Sequence, residues 1–221
     1  MSLEQQGINA LYSQLIMKHG KGPEGLGWGV KDRRILRFFI LASQWNLEGA
    51  KVLDFGCGFG DLYGYLLDCG IKCHYLGIDI NLDCLKIAEE KYPLANFLHC
   101  DLLEHPPELN FDYVLSSGVF NDKRSDAVAF RRAMLSELDA LASKGIAVNF
   151  LSAGSEIQYD HCHYNEPADV LRECYQFSNN VILRHDYMPF EFSVFINKHS
   201  QVDCKKVIYE EFCHVLERDI P

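Results

Sequence analysis

The chain has no long apolar run. None of its 221 residues belongs to a stretch approaching the roughly 20 consecutive apolar positions that cross a bilayer. The N-terminal segment also lacks the apolar core of a secretory leader. A cytoplasmic protein without a membrane partner is expected. Positive charge is scarce: 21 Lys and Arg against 31 Asp and Glu leave a formal charge of −10. Binding to a DNA or RNA backbone needs a basic stripe. The only basic clusters, Lys31/Arg33/Arg34/Arg37 and Lys123/Arg124/Arg131/Arg132, alternate with apolar positions on predicted helices. They read as solvated helix faces, and no nucleic-acid partner is expected. Paired cysteines are missing too. Nine are scattered with no C-x-x-C and no zinc-like pairing of pairs. They read as reduced, small core residues, with Cys57, Cys69 and Cys174 at positions predicted to be buried.

The third glycine of a dinucleotide fingerprint is absent as well. The stretch Lys51-Val-Leu-Asp-Phe-Gly-Cys-Gly-Phe-Gly-Asp61 runs from an apolar strand through an acid into alternating glycines, and a helical pattern follows. A strand that ends in a tight glycine turn at a helix N-terminus lets backbone approach a nucleotide-like ligand. The dinucleotide pattern G-x-G-x-x-G would place its third glycine where this chain has Asp61.

Around that turn the chain alternates strand and helix. Strands are predicted at 51–55, 73–79, 96–99, 111–117 and 145–151, and helices at 60–69, 82–91 (capped by Asn81), 125–143 and 167–177, the last opened by Pro167. Such alternation predicts a parallel sheet with helices on both faces. Two apolar runs, Asn180–Tyr187 and Phe190–Asn197, follow with only Met188-Pro189 between them, so they pair as an antiparallel hairpin. Upstream, Ile8, Leu11, Tyr12, Leu15, Ile16 and His19 form a helical stripe, with core packing expected for Tyr12. The glycine-dense stretch 20–29 contains Trp28. A second helix carries Ile35, Phe38, Phe39 and Ala42 on one face. A terminal helix is expected within 202–221.

The pattern D-x-G-x-G-x-G resembles motif I of the class I S-adenosylmethionine-dependent methyltransferases. A parallel doubly wound sheet closed by an antiparallel hairpin is that superfamily's fold. The resemblance covers about 49–198. It implies a Rossmann-like α/β methyltransferase fold: a seven-stranded, mostly parallel sheet with a C-terminal antiparallel hairpin and helices on both faces. It divides the chain into an N-terminal helical cap or lid (1–48), an S-adenosylmethionine-binding core (49–198) and a C-terminal tail (199–221). It also implies roles. Asp54 would meet the cofactor's ammonium group, directly or through water. The turn at Gly56, Gly58 and Gly60 would face its carboxylate. Asp79, with Ile80 beside it, would accept from both ribose hydroxyls. Asp101 and Leu102 would take the adenine, and Ser117 and Gly118 would line the floor beneath the methionyl arm. Each acid falls at a C-terminal strand end, the edge at which open α/β sheets bind ligands. Asp79 would suit the ribose of a NAD site equally well, but the missing glycine and the hairpin count against that ligand.

Methyl transfer needs alignment and exclusion of water more than a nucleophile of the protein's own. No Asn-Pro-Pro-Tyr motif follows the fourth strand, which weakens a nucleobase or glutamine acceptor. Asn121, His161 and His163 are the catalytic candidates, a histidine serving as general base where the acceptor is a hydroxyl. His161-Cys-His163 has no third ligand in sight, and no metal is expected. The expected function is methyl transfer to a small-molecule acceptor. The alternatives are a protein methyltransferase and a catalytically silent S-adenosylmethionine-binding regulatory subunit. Oligomeric state is not legible.

Overall fold

A computed structural model describes residues 2–26, 31–198, 202–203 and 208–215. Trp28 lies outside the described residues, as do the neighbouring Gly27 and Gly29. The sheet has seven strands: β1 (Lys51–Phe55), β2 (His74–Asp79), β3 (Asn96–His99), β4 (Phe111–Ser116), β5 (Ala142–Leu151), β6 (Asn180–Met188) and β7 (Glu191–Asn197), in the order β3-β2-β1-β4-β5-β7-β6. β1 to β5 pair in parallel, while β7 runs antiparallel to both β5 and β6. Only β7 therefore runs against the sheet.

Helices cover both faces: α1 (Leu3–His19), α2 (Lys31–Ala42), α3 (Asp61–Asp68), α4 (Leu82–Lys91), α5 (Ala127–Leu141) and α6 (Pro167–Cys174). The twofold period of the strands divides the apolar side chains between two cores. Leu53, Val114, Ile146, Val148, Val194 and Ile196 face α5 and α6, which contribute Met134, Leu135, Leu138 and Val170. Val52, Leu115, Ala147 and Phe195 face the other way, onto Phe38 and Leu41 of α2 and Leu62 and Leu66 of α3. The Asn81 side chain accepts from the Cys84 amide at 2.8 Å and starts α4 directly after the sheet edge.

Four expectations need correction. On α2 the buried face is Phe38, Leu41 and Ala42, while Ile35 and Phe39 are exposed. Three-and-four spacing fits both stripes, and the docking surface chooses between them. Cys69 is exposed at the end of α3. The hairpin turn takes Phe190 out of the strand and turns it to a cavity at the sheet edge. Among the described C-terminal residues, two-residue strands β8 (Val202–Asp203) and β9 (Ile208–Tyr209) and a 3-10 helix at Glu210–Val215 stand where a terminal helix was expected. Among the described residues no helix is long and apolar enough to cross a membrane.

Candidate active site

β1 ends in Asp54 and Phe55, and the chain turns back on itself through Gly56 and Gly58. The amides of Gly56 and Cys57 both donate to the Ile78 carbonyl, at 2.9 and 3.0 Å, which ties the turn to the end of β2. Gly56 has φ +71°, and a Cβ there would lie 2.1 Å from Val119 Cγ2, so no side chain fits. Gly58 has φ +54°, and its N–H donates to Asp79 Oδ2 at 2.8 Å. Gly60 precedes α3, but it packs against Phe97 and Tyr92 behind the turn and does not line the cavity.

The cavity, about 890 Å³, opens along the C-terminal edge of the parallel strands. That volume is within the range of small-ligand sites. Asp54, Gly56, Gly58, Asp79, Ile80, Asp101, Leu102, Ser117 and Gly118 all line it, so nine of the ten expected cofactor residues converge on one space. Asn121 and His161 line it too, whereas His163 does not.

α1 lies across this cavity. Ser2 and Gln5 form a reciprocal cap at its start, and Gln5 is its one buried residue. The Gln5 amide donates to Asp101 at 3.2 Å, the Asn81 amide donates to the Asn9 carbonyl at 3.0 Å, and the Ser13 hydroxyl donates to Asp83 at 2.8 Å. Tyr12 corrects an expectation: its hydroxyl reaches both oxygens of Asp122 at 3.2 Å from the cavity wall, not from the core. The apolar stripe of α1 faces the cavity through Ile8, Leu11 and Leu15.

The opposite wall is assembled from two loops. The segment after β4 and the insertion after β5 zip together: the Lys123 amide donates to the His161 carbonyl at 3.2 Å, and the His163 amide to the Asn121 carbonyl at 2.8 Å. This ladder brings Asp122, His161 and Cys162 to one surface. The Asn121 side-chain oxygen accepts the Leu151 amide at 3.2 Å and so shapes the loop. His161-Cys-His163 straddles the wall, with His161 toward the cavity and His163 half-buried outside it. Burial and the Arg131 charge hold the His163 imidazole below its ordinary range.

Burial dominates the electrostatics. It raises Asp54 to about 7, although the Tyr75 hydroxyl, 2.7 Å away, pulls the other way. Asp79 is also raised by burial, against the lowering effect of the Asn81 and Gly58 amides. Asp122 is pushed up to about 6 by burial, opposed by Tyr12, Arg124 and His161.

Several residues escaped the sequence reading. Asn149 is fully buried in β5; it accepts the Gly118 amide at 2.9 Å and donates to Ser117 Oγ at 3.0 Å, which orders the end of β4. Its signal was a lone amide inside the run Ile146–Leu151. Tyr75, which donates to Asp54, and Gln5 had no local signal, whereas the α2 arginines Arg33, Arg34 and Arg37, expected on a solvated helix face, line the cavity.

A family model described as a methyltransferase domain matches residues 52–145. A Mycobacterium tuberculosis protein that carries a methyltransferase name is 29% identical over 160 residues, 68% of this chain and 94% of its own. The fatty-acid O-methyltransferase of Mycolicibacterium smegmatis is 35% identical over 78 residues, 34% of this chain and 28% of its own length. Among solved structures, the magnesium protoporphyrin IX methyltransferase of Synechocystis PCC 6803 with bound S-adenosylmethionine superposes with a TM-score of 0.55 at 19% identity, covering 74% of this chain and 76% of that one.

Proposed function

The chain is a class I S-adenosylmethionine-dependent methyltransferase, and from that premise we propose that it methylates a small molecule bound in the same cavity as the cofactor. The observation that carries this reading is the continuity of that cavity, which cofactor-type residues line on one side and Tyr12, Asp122, Arg124, His161 and Phe190 on the other.

When bound, the cofactor supplies an electrophilic methyl group on a sulfonium. The residues at the strand ends suit it. Asp54 offers a buried carboxylate for an ammonium group. Gly56 and Gly58 present bare backbone to the cavity. Each Asp79 oxygen spends one lone pair on a backbone amide and keeps another for a ribose hydroxyl. Asp101, between Cys100 and Leu102, has an apolar slot beside it for a ring. Ser117 and Gly118, held by Asn149, form the floor.

On the acceptor side the protein's work is to orient and to exclude water, with α1 as the cover. His161 and Asp122 stand where a proton could be received; Asn121 orders its loop, and His163 lies outside the cavity. Two observations favour a small acceptor over a protein. The space is a bounded cavity crossed by a helix, and the similar proteins above are named for a fatty acid and a magnesium porphyrin.

The test is transfer of label from methyl-labelled S-adenosylmethionine into a metabolite extract, followed by identification of the product. Label appearing only in protein would overturn the small-molecule reading. Asp79→Ala should lower cofactor affinity by at least about tenfold, since hydrogen bonds to charged groups contribute about 1.5–3 kcal/mol each. Unchanged affinity by calorimetry would remove the ribose role.

A further inference from the structure

We propose that the methyl acceptor carries a carboxylate and that Arg33, stacked on Phe190, is the residue that holds it. This rests on the small-molecule reading above and adds the chemical class of the acceptor.

Charge in the cavity is segregated. The ends of β1, β2 and β3 present Asp54, Asp79 and Asp101, with Asp61 nearby at the start of α3. Away from those ends, Arg33, Arg37 and Arg124 line the cavity with Asp122 among them. Two of these arginines already have partners. Arg37 pairs with Glu191 and Arg124 with Asp126, and neither acid lines the cavity. A fourth lining arginine, Arg34, pairs with Asp61. Arg33 differs: among the described residues no carboxylate pairs with it and no hydrogen bond engages it.

Its position is nonetheless defined. The guanidinium lies 5.2 Å from the centre of the Phe190 ring, and both side chains line the cavity. A guanidinium on an aromatic face is attracted by the ring's quadrupole and keeps its N–H edge for a partner. That edge matches a carboxylate in a fork of two parallel hydrogen bonds. Arg33 and Arg37 are four residues apart and therefore share a face of α2, but the Arg37 charge is offset by Glu191, which leaves Arg33 as the cation on that face without a carboxylate among the described residues.

The alternatives fit less well. An amine acceptor would be repelled by the guanidinium of Arg33, the lining arginine whose charge no carboxylate offsets among the described residues. A phosphate dianion asks for more than one unspent cation. A planar, singly charged group asks for one. The apolar side chains Ile8, Leu11, Leu15 and Ile157 supply walls for the rest of such a molecule. The hairpin turn that removes Phe190 from its strand thereby builds the platform for the anion.

The test is calorimetry on full-length protein saturated with S-adenosylhomocysteine, using two matched sets of probes: octanoate, octanol and octylamine, and cinnamate, cinnamyl alcohol and cinnamylamine. At least one acid should bind about tenfold or more tightly than its alcohol, with the amine weakest, and Arg33→Ala should remove that advantage. Arg33→Lys should restore part of it, because charge survives while the fork is lost. S-adenosylhomocysteine affinity should be the same in all three proteins, which shows that the variants are folded and separates this proposal from the methyl-transfer reading. Acids that bind no better than their alcohols, or an acid preference unchanged in Arg33→Ala, would overturn the assignment. Failure of the parent protein to bind S-adenosylhomocysteine would instead strike the proposed function itself.

Discussion

Asp54 shows what one buried side chain can encode. It lies at the end of β1, where the neutral Tyr75 hydroxyl is its hydrogen-bond partner among the described residues, and burial lifts it to about 7. A carboxyl whose folded value exceeds its unfolded value stabilises the fold below the unfolded value and loses that contribution as pH rises through the folded one. Ligand-free protein should therefore lose stability between about pH 4 and pH 7 on account of this group, by up to about 4 kcal/mol. Asp79 and Asp122 are raised as well, so the measurement is a difference: parent against Asp54→Asn, melted across that range. The parent should lose its margin relative to the variant as pH rises. Parallel profiles would show that Asp54 titrates normally. If Asp54 meets the cofactor's ammonium group, cofactor binding should also release a proton near neutrality. Calorimetry in buffers of different ionisation enthalpy would detect that proton, and Asp54→Asn would abolish it.

Among the elements, α1 has the least conventional attachment. Its exposed apolar residues, Leu3, Leu11 and Met17, show how little of it is packed into a core. It is held instead by hydrogen bonds that Gln5, Tyr12 and Ser13 donate to residues at the cavity edge and that the Asn9 carbonyl accepts from Asn81. Polar contacts of this kind exchange with water at small net cost, which suits an element that opens and recloses. Tyr12→Phe should therefore speed dissociation of S-adenosylhomocysteine, by about tenfold if the bond to Asp122 is worth what charged hydrogen bonds usually are. The melting temperature should hardly move. Hydrogen exchange across residues 3–26 should slow when ligand binds. An unchanged dissociation rate together with unchanged exchange would make α1 a static cover.

At the scale of the whole molecule, one buried ion cluster joins the loop wall of the cavity to the fold. Arg131 of α5 meets Glu173 of α6 through two bonds of 2.8 Å and also donates to Asn165 at the end of the insertion after β5. Arg132 adds a third bond to Glu173. Burial acts to raise the Glu173 carboxyl, but the hydrogen bonds from the two arginines hold it below its usual range. Its stabilisation is therefore present above the unfolded value and lost as pH falls through the folded one. Glu173→Gln leaves a buried guanidinium without its counter-charge and should cost about 3–5 kcal/mol, measured by denaturant unfolding. Because Asn165 closes the insertion, cofactor affinity should survive at moderate denaturant longer than acceptor binding does. A loss below about 1 kcal/mol would mean the pair is solvated in solution.

The strand-edge half of the cavity is legible in the sequence because it is built locally. Asp54, the glycine turn and the start of α3 are adjacent in the chain, and a glycine turn between an apolar strand and a helix has few other physical solutions. Asp79 and Asp101 end their own strands, so parallel pairing alone brings them to the same edge. The parallel strands and the antiparallel hairpin follow from alternating elements and a connection too short for a crossover, whereas the strand order, with β7 set between β5 and β6, is decided by the tertiary structure. The facing half of the cavity was legible only at Asn121 and His161, since no local pattern assembles the rest. Tyr12 meets Asp122 across 110 residues of chain. Asn149 reaches Ser117 across 32, and Arg33 meets Phe190 only after α2 has docked on the sheet. The stripe on α2 was ambiguous by one helical position, and that ambiguity decided whether its arginines read as solvated or as cavity-lining. Periodicity specifies which residues can share a face; only the packing of helices and loops against one another specifies what that face meets.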